Sequence, residues 1–353
     1  GRTEELWRLL RQRETTLGTT VTTIGALALT VGIVAVVFAA LGVNPGTGLE
    51  SIIKGSLGNS FNFGQTVMIT TMLMLTGLAA AIPFSARLWN IGAEGQLYFG
   101  AFTSIAVALS LPSGTPHVLM VILCLAGGLV GGAAAGLVPG GLKAAMNANE
   151  MIVSLMMNFV CILVATYAIT GIWPEGIAPA TKDVPANGLL PNIWSGTLVT
   201  LGAPVAVVAV GVAWLVMARM KLGFEIRAIG LNSQSARMSG VALTKGAVMA
   251  FILGGAFAGL AGAINVIGVN GALVSSFSRN FGYIGIAVAL VARLDTRWII
   301  PSAFFFAILR VGTNSLPATT GLDPAVGEML VAAFVVLLLA VKAIRLRYAE
   351  AAT

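Results

Sequence analysis

Apolar runs of about 20 residues recur along this chain, broken by short polar or charged stretches. A run of that length matches one α-helix crossing the hydrocarbon core of a bilayer. The runs do not alternate polar with apolar residues, so they do not fit the strands of a transmembrane barrel. Water cannot be the only solvent for such a chain. Of its 353 residues 57% are hydrophobic and 9% charged, where a soluble protein carries about 25% charged residues. In lipid every backbone N–H and C=O needs an internal partner, which leaves helices as the way to build these segments. The sequence therefore predicts an all-α membrane protein.

Read in order, the chain gives about ten transmembrane helices. Residues 1–18 form a basic, amphipathic segment lying at the cytoplasmic interface, and no cleaved signal peptide is expected there. Residues 19–345 form a single transmembrane domain, and 346–353 a cytoplasmic tail. The spans are expected near Thr19–Val43, Gln65–Phe84, Glu94–Leu111, Val118–Val138, Met151–Trp173, Leu198–Met217, Gly246–Val266, Tyr283–Ala292, Trp298–Asn314 and Pro324–Ala343. Residues Glu50–Phe63 are too polar to span, and Pro174–Pro191 is the longest outer loop. Charge tests this count, because Lys and Arg collect in cytoplasmic loops. Alternate segments hold Arg2, Arg8, Arg11 and Arg13, then Arg87, Lys143, the 219–245 stretch, Arg293 with Arg297, and Lys342 with Arg345 and Arg347. The intervening ones hold only Lys54, Lys182 and Arg279. Both termini are thus expected in the cytoplasm, and the net charge of +7 reflects topology rather than nucleic-acid binding.

No catalytic constellation is visible. No Lys is followed by Ser or Thr, so the chain lacks a phosphate-cradling P-loop. Cys124 and Cys161 lie inside apolar runs, and His117 is the sole histidine. They build neither a disulfide framework nor a metal site.

The informative residues are polar groups at membrane depth, which are costly and often line a path. Asn90, Glu94 and Gln96 follow the second span, Asn158 sits within the fifth, and Asn265 and Asn270 end the seventh. Each has a plainer reading. Glu94 complements a helix N-terminus, and Asn149 with Glu150 caps the fifth span. Ile91-Gly-Ala-Glu-Gly-Gln-Leu97 and Ile267-Gly-Val-Asn-Gly-Ala-Leu273 share the pattern I-G-x-[EN]-G-x-L. Five spans apart, they suggest an inverted repeat of two five-helix halves; chance likeness in a chain with 43 glycines is the other reading. Arg310 and Glu328 form a candidate ion pair. The 219–245 stretch contains Lys221-Leu-Gly-Phe-Glu-Ile-Arg-Ala-Ile-Gly-Leu-Asn232, then a short segment capped by Asn232 and ended by Gly240. It reads as a docking surface or as a solvated loop.

These segments resemble the membrane subunits of ABC importers, in the nucleoside and simple-sugar branch of the group that includes ribose and branched-chain amino acid permeases. The likeness rests on Leu88-Trp-Asn-Ile-Gly-Ala-Glu-Gly-Gln-Leu97, Asn149-Glu-Met-Ile152, Leu222–Asn232, Gly259-Leu-Ala-Gly-Ala263 and Gly285-Ile-Ala-Val-Ala-Leu290, over roughly residues 60–340. Arg293-Leu-Asp-Thr-Arg297 departs from the more polar, His-containing turn such permeases carry. The resemblance implies inward transport of a nucleoside or other small polar solute across a bacterial inner membrane, and no enzymatic activity in this chain. ATP and Mg²⁺ would bind separate ATP-binding subunits. A second permease and an extracytoplasmic substrate-binding protein would complete the assembly. The 219–245 stretch would couple to the ATPase through Gly223, Phe224, Arg227, Gly230, Asn232, Ala236 and Arg237. A secondary transporter should instead show mid-span ion-coupling carboxylates, which are scarce here.

The topology is open to a direct check. Cysteines introduced at Lys182 and at Arg237 should react with a membrane-impermeant thiol reagent from opposite sides. Labelling of both from one side would rule out the ten-span arrangement.

Overall fold

The computed structural model describes residues 42–112, 114–175, 178–323 and 325–333, with isolated positions at 32, 35, 36, 38–40 and 336. The N-terminal interfacial segment, most of the first span, the end of the tenth and the tail lie outside the described residues.

The helices are α1 (Pro45–Leu57), α2 (Ser60–Ser85), α3 (Ala93–Ser110), α4 (His117–Met146), α5 (Glu150–Tyr167), α6 (Gly202–Arg219), α7 (Lys221–Leu231), α8 (Ser233–Met238), α9 (Leu243–Asn265), α10 (Phe281–Val291), α11 (Ile299–Thr313) and α12 (Leu316–Thr320). Among the described residues five helices are long and apolar enough to cross a membrane: α2, α4, α6, and α5 and α9 with their π-helical extensions to Ile172 and Asn270. The eighth span, α10, has only 11 residues. The stretch expected as the longest outer loop is not wholly irregular: β1 (Pro174–Glu175) and β2 (Ala178–Thr181) form a small antiparallel ribbon, the one sheet among the described residues.

The chain divides into two compact units, 56–308 and the combination of 1–55 with 309–353. In the smaller unit, Phe38, Ile52, Leu316 and Leu330 pack together. Ser315 Oγ donates to Ser51 O at 2.8 Å, and Arg310 Nη2 meets Glu328 Oε1 at 3.2 Å, so the expected ion pair forms.

The larger unit is built around α2. Its apolar residues cover every face, the pattern of a helix enclosed by others, and nearly all of it is buried, whereas only a third or so of α4, α5 and α6 is. The hydroxyls of Thr66, Thr70, Thr71 and Thr76 bond back to carbonyls four residues earlier at 2.7–3.0 Å, so they need no polar neighbour. Helices α4 and α9 meet through glycine. Gly128, Gly132 and Gly136 of α4 face Gly255 and Gly259 of α9, and a Cβ at Gly132 would stand 2.6 Å from the Gly259 Cα. Lipid gives no hydrophobic drive for helix association, so this close approach supplies the dispersion contacts that do.

The I-G-x-[EN]-G-x-L stretches take opposite local forms. Residues 91–97 enter α3, while 267–273 leave α9 through a π turn ended by Gly271 in the left-handed region (φ 70°). They therefore do not stand as equivalents of each other. A different pair does match. Ala86-Arg87-Leu88 closes α2 and Ala292-Arg293-Leu294 closes α10. In the first turn Arg87 (φ 58°) donates its N–H to Phe84 O and Leu88 its N–H to Pro83 O. In the second, Arg293 (φ 56°) donates to Leu290 O and Leu294 to Ala289 O. Each is a Schellman-type stop, and each next helix starts seven residues after the cap residue, at Ala93 and Ile299. This places Arg293–Arg297, the stretch that departs from the family pattern, in the counterpart of the Arg87 turn.

Replacing Gly132 or Gly259 by Leu should force α4 and α9 apart. Overpacking of this kind costs about 1–3 kcal/mol or more. A lower unfolding temperature of the detergent-purified protein is the expected readout, with Gly141→Leu, where nothing lies within 4 Å of a Cβ, as the silent control.

Candidate translocation and coupling sites

The turn after α2 folds back along that helix instead of leaving it. Asn90 Nδ2 donates to Ala79 O (3.1 Å) and to Gln96 Oε1 (3.1 Å), and its Oδ1 accepts from Gly92 N–H (3.0 Å) and Gln96 Nε2 (3.2 Å). Both amides are buried. Helix α5 closes this turn from the side. Asn158 Oδ1 accepts from Gly95 N–H at 2.7 Å, and its Nδ2 donates to Ile91 O (2.9 Å) and Tyr283 Oη (3.1 Å). Ser154 Oγ accepts from Ile91 N–H at 3.1 Å. Glu94, in the first turn of α3, reaches the start of α10: its Oε2 accepts from Gly282 N–H at 2.7 Å, with Ser278 and Asn280 close by. A carboxylate suits that position, because the N-terminus of α10 carries partial positive charge. Asn90, Glu94, Gln96 and Asn158 thus form one joint linking α2, α3, α5 and α10.

Asn265 and Asn270 form a separate pair, Nδ2 of Asn270 donating to Oδ1 of Asn265 at 2.6 Å across the π turn that ends α9. Asn265 is buried and Asn270 exposed. Sequence reasoning missed Ser154, Ser278 and Tyr283, which complete the joint. The polar run Asn270–Asn280 was its only signal for Ser278.

The 219–245 stretch folds as two short helices. One face of α7 is buried through Gly223, Ile226, Ile229 and Gly230, with Gly223 against the backbone of Met217 in α6 and Gly230 against that of Ser85 in α2. Asn232 caps α8 by accepting Ser235 N–H at 3.0 Å, and Gly240 (φ 81°) follows its end. Ala236 is turned inward, 6% exposed, so it does not offer its side chain to a partner as a surface residue. The outward apolar side chains are Phe224 (61%), Leu231 (79%) and Met238 (85%), beside exposed Arg227 and Arg237. Elsewhere Asp295 caps the turn before α11. Burial opposes its ionisation, but hydrogen bonds and charge from Arg297 outweigh that and hold the carboxyl below its usual range.

Helices of this length and apolarity, joined by a satisfied polar joint, define a multi-pass membrane protein. The model for the permease component of branched-chain amino acid transport systems matches residues 62–341. The chain is 35% identical over 319 residues to a glucose ABC transporter permease of Haloferax volcanii, TsgB13, covering 86% of this chain and 83% of that one. It is 30% identical over 312 residues to the nucleoside ABC transporter permease NupB of Lactococcus lactis, covering 85% of each. It is 28% identical over 316 residues to the guanosine ABC transporter permease NupP of Bacillus subtilis, covering 88% and 90%. The chain belongs to this permease family, in its nucleoside and simple-sugar branch.

Substituting Asn158 by Leu should leave Gly95 N–H, Ile91 O and Tyr283 Oη without this partner, at a cost of about 1–3 kcal/mol for a buried group left unpaired. Thermal unfolding of the purified variant measures it, and an unchanged midpoint would show that the joint does not hold these helices.

Proposed function

We propose that this chain is the membrane-spanning subunit of an ATP-driven importer that moves a nucleoside, or a related small polar solute, inward across the bacterial cytoplasmic membrane. Both termini lie in the cytoplasm, and the ten-span count follows from the charge asymmetry. ATP and Mg²⁺ bind separate ATP-binding subunits, a second similar permease completes the membrane portion, and an extracytoplasmic binding protein delivers solute. The solute path follows the polar joint, framed by Asn90, Glu94, Gln96 and Asn158 on one side and by Asn265 and Asn270 on the other. Two of the three relatives described above are named for nucleosides. The one named for glucose, at 35% identity, favours a simple sugar as the second reading.

The observation that carries the reading is the α7–α8 elbow. Its base is anchored by Gly223, Ile226, Ile229, Gly230 and Ala236, and its outer face presents Phe224, Leu231 and Met238 between Arg227 and Arg237. An apolar tip with a basic rim fits a shallow groove edged by carboxylates. Asn232 fixes the elbow's shape, and the buried glycines tie it to α2 and α6. Movement of the partner therefore reaches the membrane helices through rigid contact.

Proteoliposomes holding the full complex should take up tritiated uridine or guanosine only with ATP inside and loaded binding protein outside. ATP-independent uptake would overturn the reading, and uptake of glucose alone would select the sugar. The double variant Leu231→Asp with Met238→Asp should lower uptake about tenfold or more, the loss of some 1.4 kcal/mol or more of docking free energy, and reduce co-purification of the ATP-binding subunit. Wild-type assembly and uptake in that variant would overturn the docking assignment.

A further inference from the structure

The ten residues Gly271–Asn280 between α9 and α10 contain no helix. Three of them are non-glycine residues in the left-handed region: Ser276 (φ 58°), Arg279 (φ 45°) and Asn280 (φ 67°). Such conformations cost about 1–3 kcal/mol each and persist where the surroundings over-determine them, often at functional sites. The surroundings here are specific. At the outer end Leu273 and Thr181 exchange hydrogen bonds (2.9 and 3.1 Å), and Ser275 N–H donates to Pro179 O at 2.8 Å, which binds the loop to the β ribbon. Further along, the Phe277 ring lies on Tyr98 with centroids 4.7 Å apart. At the far end Glu94 takes Gly282 N–H at 2.7 Å, with Ser278 and Asn280 close by.

The far end lies at membrane depth. Gly285, one turn into α10, packs against Thr76, well inside the 26-residue α2. At 1.5 Å per residue, Thr76 is about 24 Å from one end of α2 and about 14 Å from the other, and Asn280 lies within about 8 Å of Gly285 along the axis. Irregular backbone at that depth is tolerated only when buried in protein or lining a water-filled cavity. One flank is buried, through Ala272, Leu273, Phe277 and Ser278. The other, Ser275, Ser276, Arg279 and Asn280, is exposed. A guanidinium cannot face hydrocarbon there without heavy cost.

We propose that Gly271–Asn280 is a re-entrant segment whose exposed flank lines the water-filled solute path, with Ser275, Ser276, Arg279 and Asn280 forming a contact site for an uncharged polyhydroxy solute. Arg279 supplies paired N–H donors to hydroxyl or carbonyl oxygens, and the serines and Asn280 supply both donors and acceptors. Glu94 is a positioning residue: from α3 it holds the loop's deep end and the start of α10. This assignment deepens the importer reading and rests on it.

The test uses the full complex in proteoliposomes, with Cys124→Ala and Cys161→Ala removing both native thiols. Ser276→Cys and Arg279→Cys should each react with a membrane-impermeant methanethiosulfonate reagent added outside. Uridine-loaded binding protein without ATP should slow that reaction about tenfold, as occupancy of the site near saturation requires. If Lys182→Cys reacts while the two loop cysteines do not, the flank is sealed by lipid or by the second permease and the proposal is overturned. Reaction unaffected by solute overturns it as well. Glu94→Ala should change the Ser276→Cys rate, and Glu94→Gln, which keeps an acceptor oxygen, should restore it; no change with alanine overturns the positioning role. Uptake by the unmodified complex in the same vesicles tests the importer reading separately, so the two can fail independently.

Discussion

The need to satisfy every polar backbone group without water governs this molecule. The turn between α2 and α3 shows what that requires. Past the stop at Arg87 and Leu88, the Ile91 and Gly92 amides and the Ile91 carbonyl have no partner within α2 or α3. Side chains from elsewhere take their place: Asn90 for Gly92, Ser154 and Asn158 for Ile91, and Asn158 again for Gly95. Each amide is thus a backbone substitute before it is anything else. The break in the helix and the polar residues that mend it are one feature, and the mending draws α5 and α10 onto the α2–α3 corner.

Packing follows from the same constraint. Once hydrogen bonds are internal, helices are held together by contact at short range, and only glycine permits the approach seen between α4 and α9 or between α3 and α9 at Gly100. The glycines that serve this purpose are spaced four apart on α4 and α9. Their regular spacing makes the interface stiff, which suits a helix bundle that must move as a body rather than deform.

Five of the expected spans, now α2, α4, α5, α6 and α9, were legible because a 20-residue apolar run has one physical solution in lipid. Their ends were less so. Helix α4 runs to Met146 rather than Val138, since Pro139 is accommodated inside it, and the boundary is set by Asn147 adopting the left-handed conformation (φ 51°). The polar residues of the joint stood out by type, but not by partnership: Asn158 and Gly95 are 63 positions apart in sequence. Ala236 was misplaced because a six-residue helix has no periodicity long enough to tell its inner face from its outer one. Arg279 reads as an outer-loop charge from its spacing after α9, and its left-handed conformation (φ 45°) is not legible from residue type. The repeated Ala-Arg-Leu turns were readable in principle, and only their shared hydrogen bonds separate them from the chance resemblance of glycine-rich stretches.

Transport needs a rigid part and a part that yields, and Glu94 is one of the contacts that join the polar joint to the loop and α10, beside Asn158–Tyr283 and Tyr98–Phe277. Glu94 belongs to the rigid joint through α3, whose first turn is fixed by Asn90, Gln96 and Asn158. Its Oε2 ends on the Gly282 amide in the first turn of α10, beside Ser278 and Asn280 of the strained loop. Gly230 of the α7–α8 elbow lies against the Ser85 backbone at the end of α2, so under the proposed coupling a displacement of the elbow would carry α2 and the joint with it. The loop is also tied to the β ribbon at Thr181 and Pro179, so the displacement must be absorbed between those two attachments. That interval holds the loop's three left-handed non-glycine residues, conformations that cost about 1–3 kcal/mol each. Under the proposed coupling, the stretch whose backbone is least favourably held, Ser276–Asn280, would be the first to rearrange.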